Sequence, residues 1–143
     1  MLGTLMNLVQ EGLSKLDSDG NYVEVNEAYA ELLGYETKDL IGKHWLTSIC
    51  EDDIKSAKEL HQRLLDGESN VHARLRGIRK SGRKFEQQLS ILAIREGKSK
   101  KPTCYYLFSV NVQHQVEARK ELREITGSIA ELKNLFEMYL EKK

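Results

Sequence analysis

LDSDGNYVEVNEAYAELLGYETKDLIG, residues 16–42, carries a dense run of structural punctuation in this 143-residue chain. Asp19-Gly20 is a turn dipeptide suited to positive backbone φ, and it predicts a tight hairpin after a first strand at Leu13–Leu16. Tyr22-Val23-Glu24-Val25 alternates aromatic or β-branched residues with a charge, as a half-exposed second strand does. Asn26 then offers a side-chain oxygen to the orphan amides of a first helical turn. Ala28, Leu32 and Leu33 give that helix one apolar side, and Gly34 fits a left-handed stop. A short turn opens at Thr37-Lys38-Asp39-Leu40 and closes on Leu40-Ile41-Gly42.

Before this stretch, Leu2, Leu5, Met6 and Val9 recur at helical spacing and predict a short amphipathic helix over 1–10, too short to stand alone in water. After it, Asp52 or Asp53 starts a helix in which Ile54, Ala57, Leu60 or His61, and Leu64-Leu65 recur three and four residues apart, with Asp66-Gly67 as the stop. Three further strands are predicted. Val71–Arg79 ends in the turn Lys80-Ser81-Gly82-Arg83, Phe85–Ile94 follows, and Thr103–Val112 comes after the loop REGKSKKP. Tight turns between them make an antiparallel meander. The reading is an α+β fold, a five-stranded antiparallel sheet with helices on one face.

From Gln115 the period changes. Ala118, Leu122, Ile125, Ile129, Leu132, Phe136 and Tyr139 are spaced alternately by four and three residues, the seam of a heptad repeat. Gly127 falls on an outer position and leaves the seam intact. Such a stripe pairs with a second helix or folds back on its own domain, and its regularity favours the intermolecular coiled coil. The expected organisation is an amphipathic helix over 1–10, a globular domain over 11–112 and a dimer helix over 113–143.

The order from Asp19-Gly20 through Asn26 to Gly34-Tyr35 and Leu40-Ile41-Gly42 resembles the opening of a PAS domain, the sensory fold of signalling proteins. The likeness covers about residues 11–112, and Lys80-Ser81-Gly82 is similar to the lysine-aspartate-glycine hairpin of that family. Two departures stand out. Glu51 occupies the place of a proline before the long helix, and Asn111-Val112-Gln113 replaces the family's closing aspartate, isoleucine or valine, and threonine. The resemblance implies a sensor rather than an enzyme. Its ligand would lie between the inner sheet face and the helices, and its signal would pass to the C-terminal helix of a homodimer and on to an effector in cis or in trans.

Alternation places Phe85, Gln87, Leu89, Ile91 and Ala93 on one face of their strand, with Tyr106, Phe108 and Val110 expected to join them from the last. These are the ligand-pocket candidates, although such residues more often simply fill a core. Gln87 is the exception, because a polar residue on an apolar face needs a partner, which a ligand, a water or Tyr106 would supply. Oxygen-sensing relatives hold haem through a histidine on or near the long helix, which makes His61 and His72 weak haem-ligand candidates. The flavin-binding light sensors carry a reactive cysteine, whereas here Gly42-Lys43-His44-Trp45 holds the corresponding region without a thiol; Cys50 is expected in the core. The cofactor is therefore open, with none, haem or another small molecule all compatible and flavin disfavoured.

Bulk properties narrow the classes further. An apolar content of 40% supports one modest core, and 22 basic residues exactly offset 22 acidic ones, so nothing electrostatic calls for nucleic acid or an anionic membrane. No apolar run approaches the roughly 18 residues of a membrane span, and no secretory signal precedes the fold. Cys50 and Cys104 lack metal-ligand spacing and read as reduced thiols of a cytoplasmic protein. No phosphate-binding loop, nucleophile elbow or kinase phosphoacceptor motif is present in the sequence.

Overall fold

The structure is a computed structural model that describes residues 11–112 and 129–138. The chain divides into two compact units, residues 1–113 and 114–143. In the first, β1 (Gly12–Asp17) and β2 (Tyr22–Val25) precede two short helices, α1 (Glu27–Leu33) and α2 (Thr37–Leu40). Two 3-10 turns, Trp45–Ser48 and Glu51–Asp53, lead into α3 (Ile54–Leu65), and β3 (Asn70–Ile78), β4 (Lys84–Ile94) and β5 (Cys104–Asn111) complete an antiparallel sheet of order β2-β1-β5-β4-β3. The five strands and their meander are those expected from the sequence. The segment at Thr37 is a single helical turn rather than a plain turn.

The β1–β2 connection is wider than a two-residue hairpin. Asp17 accepts from the backbone amides of Asp19 and Asn21, both at 2.9 Å, and its backbone carbonyl accepts from Gly20 N at 3.0 Å. Of the two turn residues only Gly20 has a positive φ, 93°. The Asp17 carboxylate therefore organises this loop, an Asx-type arrangement.

Asn26 joins three elements. Its Oδ1 accepts from Tyr29 N at 2.9 Å, capping α1, and from Leu13 N of β1 at 3.0 Å. Its Nδ2 donates to the Glu11 carbonyl at 2.8 Å. Gly34 ends α1 in the left-handed conformation, as its position predicts.

Helix α3 buries Ala57, Leu60 and Leu64 against the sheet, and full burial contributes about 2 kcal/mol for each leucine. Both ends of the helix are tied. Asp53, just before it, accepts from the Arg76 backbone amide at 2.7 Å and from the Arg76 guanidinium at 2.9 and 3.2 Å. At the other end Arg95 donates to the carbonyls of Leu64, Glu68 and Lys100.

In the second unit, residues 129–138 form a helix, α4. Ile129 and Leu132 are half-buried and Phe136 is buried, whereas Leu135 and Met138 are exposed. The expected N-terminal helix and the seam residues Leu122, Ile125 and Tyr139 lie outside the described residues. Among the described residues, no helix is long and apolar enough to cross a membrane.

Candidate ligand site on the inner face of the sheet

Strand register determines which side chains meet α3. Leu89 stands opposite Ala73 of β3 and Ser109 of β5, and Ile91 stands opposite Val71 and Leu107. Directly opposed residues share a face, so the inner face carries Phe85, Gln87, Leu89, Ile91 and Ala93 from β4 with Tyr105, Leu107 and Ser109 from β5. Phe85, Gln87, Leu89 and Ile91 are all buried. Tyr106 and Phe108 do not join them. They pair with Leu92 and Ser90 on the opposite face, where they too are buried. The sequence expectation is thus corrected by one residue in β5. That strand, Cys-Tyr-Tyr-Leu-Phe-Ser-Val-Asn, is apolar on both sides, so alternation could not fix its face.

Around Gln87 the inner face is filled. Gln87 is 2% exposed and its Oε1 accepts from Ser109 Oγ. Opposite Phe85, a Cβ on Gly77 would come within 2.6 Å of the Phe85 ring and 2.7 Å of Gln87 Nε2. The missing side chain at Gly77 is what lets Phe85 and Gln87 lie across β3.

A second polar group lies under α1. The hydroxyls of Tyr22 and Tyr29 are 2.5 Å apart, and Tyr22 also donates to Ser48 Oγ at 3.1 Å. Burial pushes the Tyr22 phenol up to about 12 and drives Tyr29 well above its ordinary value. These are neutral, mutually satisfied hydroxyls.

The third group differs. His44 Nδ1 accepts from Leu46 N at 3.2 Å, capping the Trp45–Ser48 turn. Its Nε2 must therefore carry the proton, and it donates to the Asp19 carbonyl at 2.9 Å. Trp45 N donates to the Gly20 carbonyl at 3.0 Å, and the absent Cβ of Gly20 leaves room for His44 Nε2 at 2.8 Å and Trp45 Cδ1 at 3.0 Å. The indole so placed stacks on His61 of α3, with ring centres 6.5 Å apart and planes 14° apart. His61 also leans on Tyr105, centre to centre 5.2 Å. Trp45 and Tyr105 are each 1% exposed, yet among the described residues neither the indole Nε1 nor the Tyr105 hydroxyl has a hydrogen-bond partner. His61 is half-buried; desolvation, then the neighbouring His44, lowers its pKa from the ordinary value. Desolvation raises the Tyr105 phenol, against the opposing influence of Arg95.

The haem candidates separate. His61 packs on the inner side of the sheet, whereas His72 lies on the outer face, exposed, with Nδ1 2.8 Å from Ser90 Oγ. No single group touches both. A macrocycle on His61 would meet the Trp45 and Tyr105 rings, so the residues present do not fit haem. Cys50 is fully buried, as expected. No group of three or more metal-ligating side chains occurs among the described residues. Sequence reasoning passed over Trp45 and Tyr105; the available signal was a lone tryptophan directly after a capping histidine.

A five-stranded antiparallel sheet with short helices and one long helix over its inner face is the architecture of small sensory domains. The family model for the PAS fold matches residues 1–127, and the chain belongs to the PAS family, whose members are sensory modules in signalling. The fold is similar to a PAS domain from Colwellia psychrerythraea at a TM-score of 0.71 and 13% identity, covering 79% of this chain and 95% of that one. It is similar to the Rhodobacter sphaeroides LOV protein at 0.72 and 14%, covering 83% and 69%. A third likeness is to the Drosophila melanogaster Cycle PAS-B domain with bound ethylene glycol, at 0.65 and 13%, covering 70% and 98%. No curated protein matches the chain in sequence.

Proposed function

We propose that this PAS domain is a cytoplasmic sensory and signal-relay module without catalysis of its own. A small molecule taken up between the sheet and α3 would alter their packing. The change would pass through β5 to a homodimeric C-terminal helix whose seam is Leu122, Ile125, Ile129, Leu132, Phe136 and Tyr139, and from there to an effector in cis or in trans. One observation carries the sensing reading: Trp45 Nε1 and Tyr105 OH are buried without partners among the described residues. Each such group costs about 1–3 kcal/mol, a penalty that a ligand or an ordered water removes. Two packings of a helical pair differ by only a few kcal/mol, so modest ligand energy suffices to shift them.

The test is native mass spectrometry of freshly purified protein with an absorbance spectrum of the same sample, followed by thermal shift against a metabolite panel. Added mass or a raised Tm is expected. A dimer without added mass and with an unmoved Tm across the panel overturns the sensing part. For the relay, paired prolines at Leu122 and Ile129 are expected to abolish dimerisation; a protein still dimeric and signal-competent would sink it. A second reading, a ligand-free dimerisation scaffold, draws support from the close packing of Phe85 and Gln87 over Gly77.

A further inference from the structure

We infer that the Trp45–His61–Tyr105 cluster is a binding site for a small carboxylate, in which the Trp45 indole N–H and the Tyr105 hydroxyl donate to the carboxylate oxygens and His61 becomes the third donor on taking up a proton. The inference rests on the sensing reading above and gives it a place and a ligand chemistry.

Both unpaired groups belong to rings that flank His61, with centres 6.5 and 5.2 Å from its ring, and both residues are 1% exposed. Both rings lie near the Asp19-Gly20 turn. Trp45 Cδ1, bonded to Nε1, lies 3.0 Å from a Cβ built on Gly20, and Asp19 of that turn acts electrostatically on Tyr105. An indole N–H only donates, and a phenol can donate. What these groups lack is an acceptor oxygen. Half-buried His61 is the accessible member, so the way in lies along its exposed edge.

The charges around the cluster favour an anion. His44 faces His61 from the 3-10 turn and contributes no negative charge. Along α3, the residues one turn from His61 are Ala57, Lys58, Leu64 and Leu65, with Lys58 cationic and exposed. Arg95 acts on Tyr105 more strongly than Asp19 does, and its guanidinium is bound to backbone carbonyls. Asp19, the carboxylate that acts on Tyr105, is 75% exposed and has Lys101 Nζ at 3.9 Å, so solvent and that lysine screen it. A bound carboxylate adds the negative charge that an imidazolium requires, raising the His61 midpoint from its lowered value.

The chain has one tryptophan and four histidines, so the indole N–H and imidazole resonances are separable reporters. Titration of the full chain with benzoate is expected to move the indole N–H and to raise the His61 midpoint by about one pH unit, leaving His72 on the opposite face unchanged. By linkage, such a shift makes benzoate bind up to about tenfold more tightly below the His61 midpoint than above it. Tyr105→Phe, which removes one hydroxyl from a buried ring, is expected to weaken benzoate at least several-fold with the unfolding transition retained. An indole resonance unmoved by benzoate overturns the inference. So does benzamide, the uncharged isostere, moving it equally with no change in the His61 midpoint. A different compound that stabilises the domain while leaving the indole resonance unmoved also overturns it, yet leaves the sensing reading standing.

Discussion

Replacing Asn26 by alanine removes a cap and a tertiary tie together. The cap on Tyr29 N is worth about 1 kcal/mol. Leu13 N, in a residue with no exposure, would lose its Oδ1 acceptor at 3.0 Å, and an orphaned buried amide costs about 1–3 kcal/mol. The Glu11 carbonyl loses a donor at 2.8 Å but lies in a half-buried residue, adding about 0.5 kcal/mol. The sum is about 2.5–4.5 kcal/mol. Urea unfolding followed by circular dichroism measures it; with a slope of about 2 kcal/mol per M, the midpoint falls by about 1.2–2.2 M. Asn26→Ser separates the two contributions. A serine hydroxyl still caps Tyr29 N but is too short to reach Leu13 N and Glu11 as well, so it recovers only about 1 kcal/mol. If alanine costs under about 1 kcal/mol, or serine restores full stability, the tie between β1 and α1 contributes nothing and the reasoning fails.

Gly77→Ala drives a methyl into Phe85 and Gln87 at 2.6–2.7 Å; a destabilisation of about 1–3 kcal/mol is expected, read as a lowered Tm. His61 has a lowered folded pKa, so between that value and the unfolded 6.5 the unfolded chain binds more protons and stability rises with pH. This contribution is fully present above pH 6.5 and lost as the pH falls through the folded value; His61→Gln should flatten that part of a urea-midpoint profile. Burial pushes Tyr22 up to about 12 and Tyr29 well above its ordinary value, so absorbance at alkaline pH should show both phenols un-ionised at pH 10.5 in folded protein. Their stabilising contribution is complete below pH 10 and declines as the pH rises through the folded values, and ionisation of all six tyrosines near pH 10 would contradict it.

Much of the fold is legible because its punctuation is local. Asn26, Gly34 and Gly82 act within three or four residues of themselves, and each stands where its chemistry predicts. What sequence could not supply is information held between distant elements. Asn26 reads as a cap, but its bond to Leu13 depends on β1 lying alongside. Strand β5 is apolar on both faces, so only pairing with β4 shows that Tyr105 and Leu107, not Tyr106 and Phe108, face α3. The Trp45–His61–Tyr105 cluster draws on a 3-10 turn, a helix and a strand, and no short-range pattern links those three positions. Gln87 was recognisable as a polar residue needing a partner, yet Ser109 as that partner emerges only from the β4–β5 register.

The ties at both ends of α3 bear on how anything could reach His61. Asp53 fixes the entry of the helix to Arg76 on β3, and Arg95 grips its exit through Leu64 and Glu68. The helix is a beam pinned at both supports. Sliding along its axis would break charged hydrogen bonds at either end, whereas bowing at mid-span or swinging the His61 ring breaks none of them. Access to the inner face is therefore a matter of one side chain and a slight flexure, and whatever strain a guest imposes is delivered at the two supports, into β3 and into the β4–β5 connection.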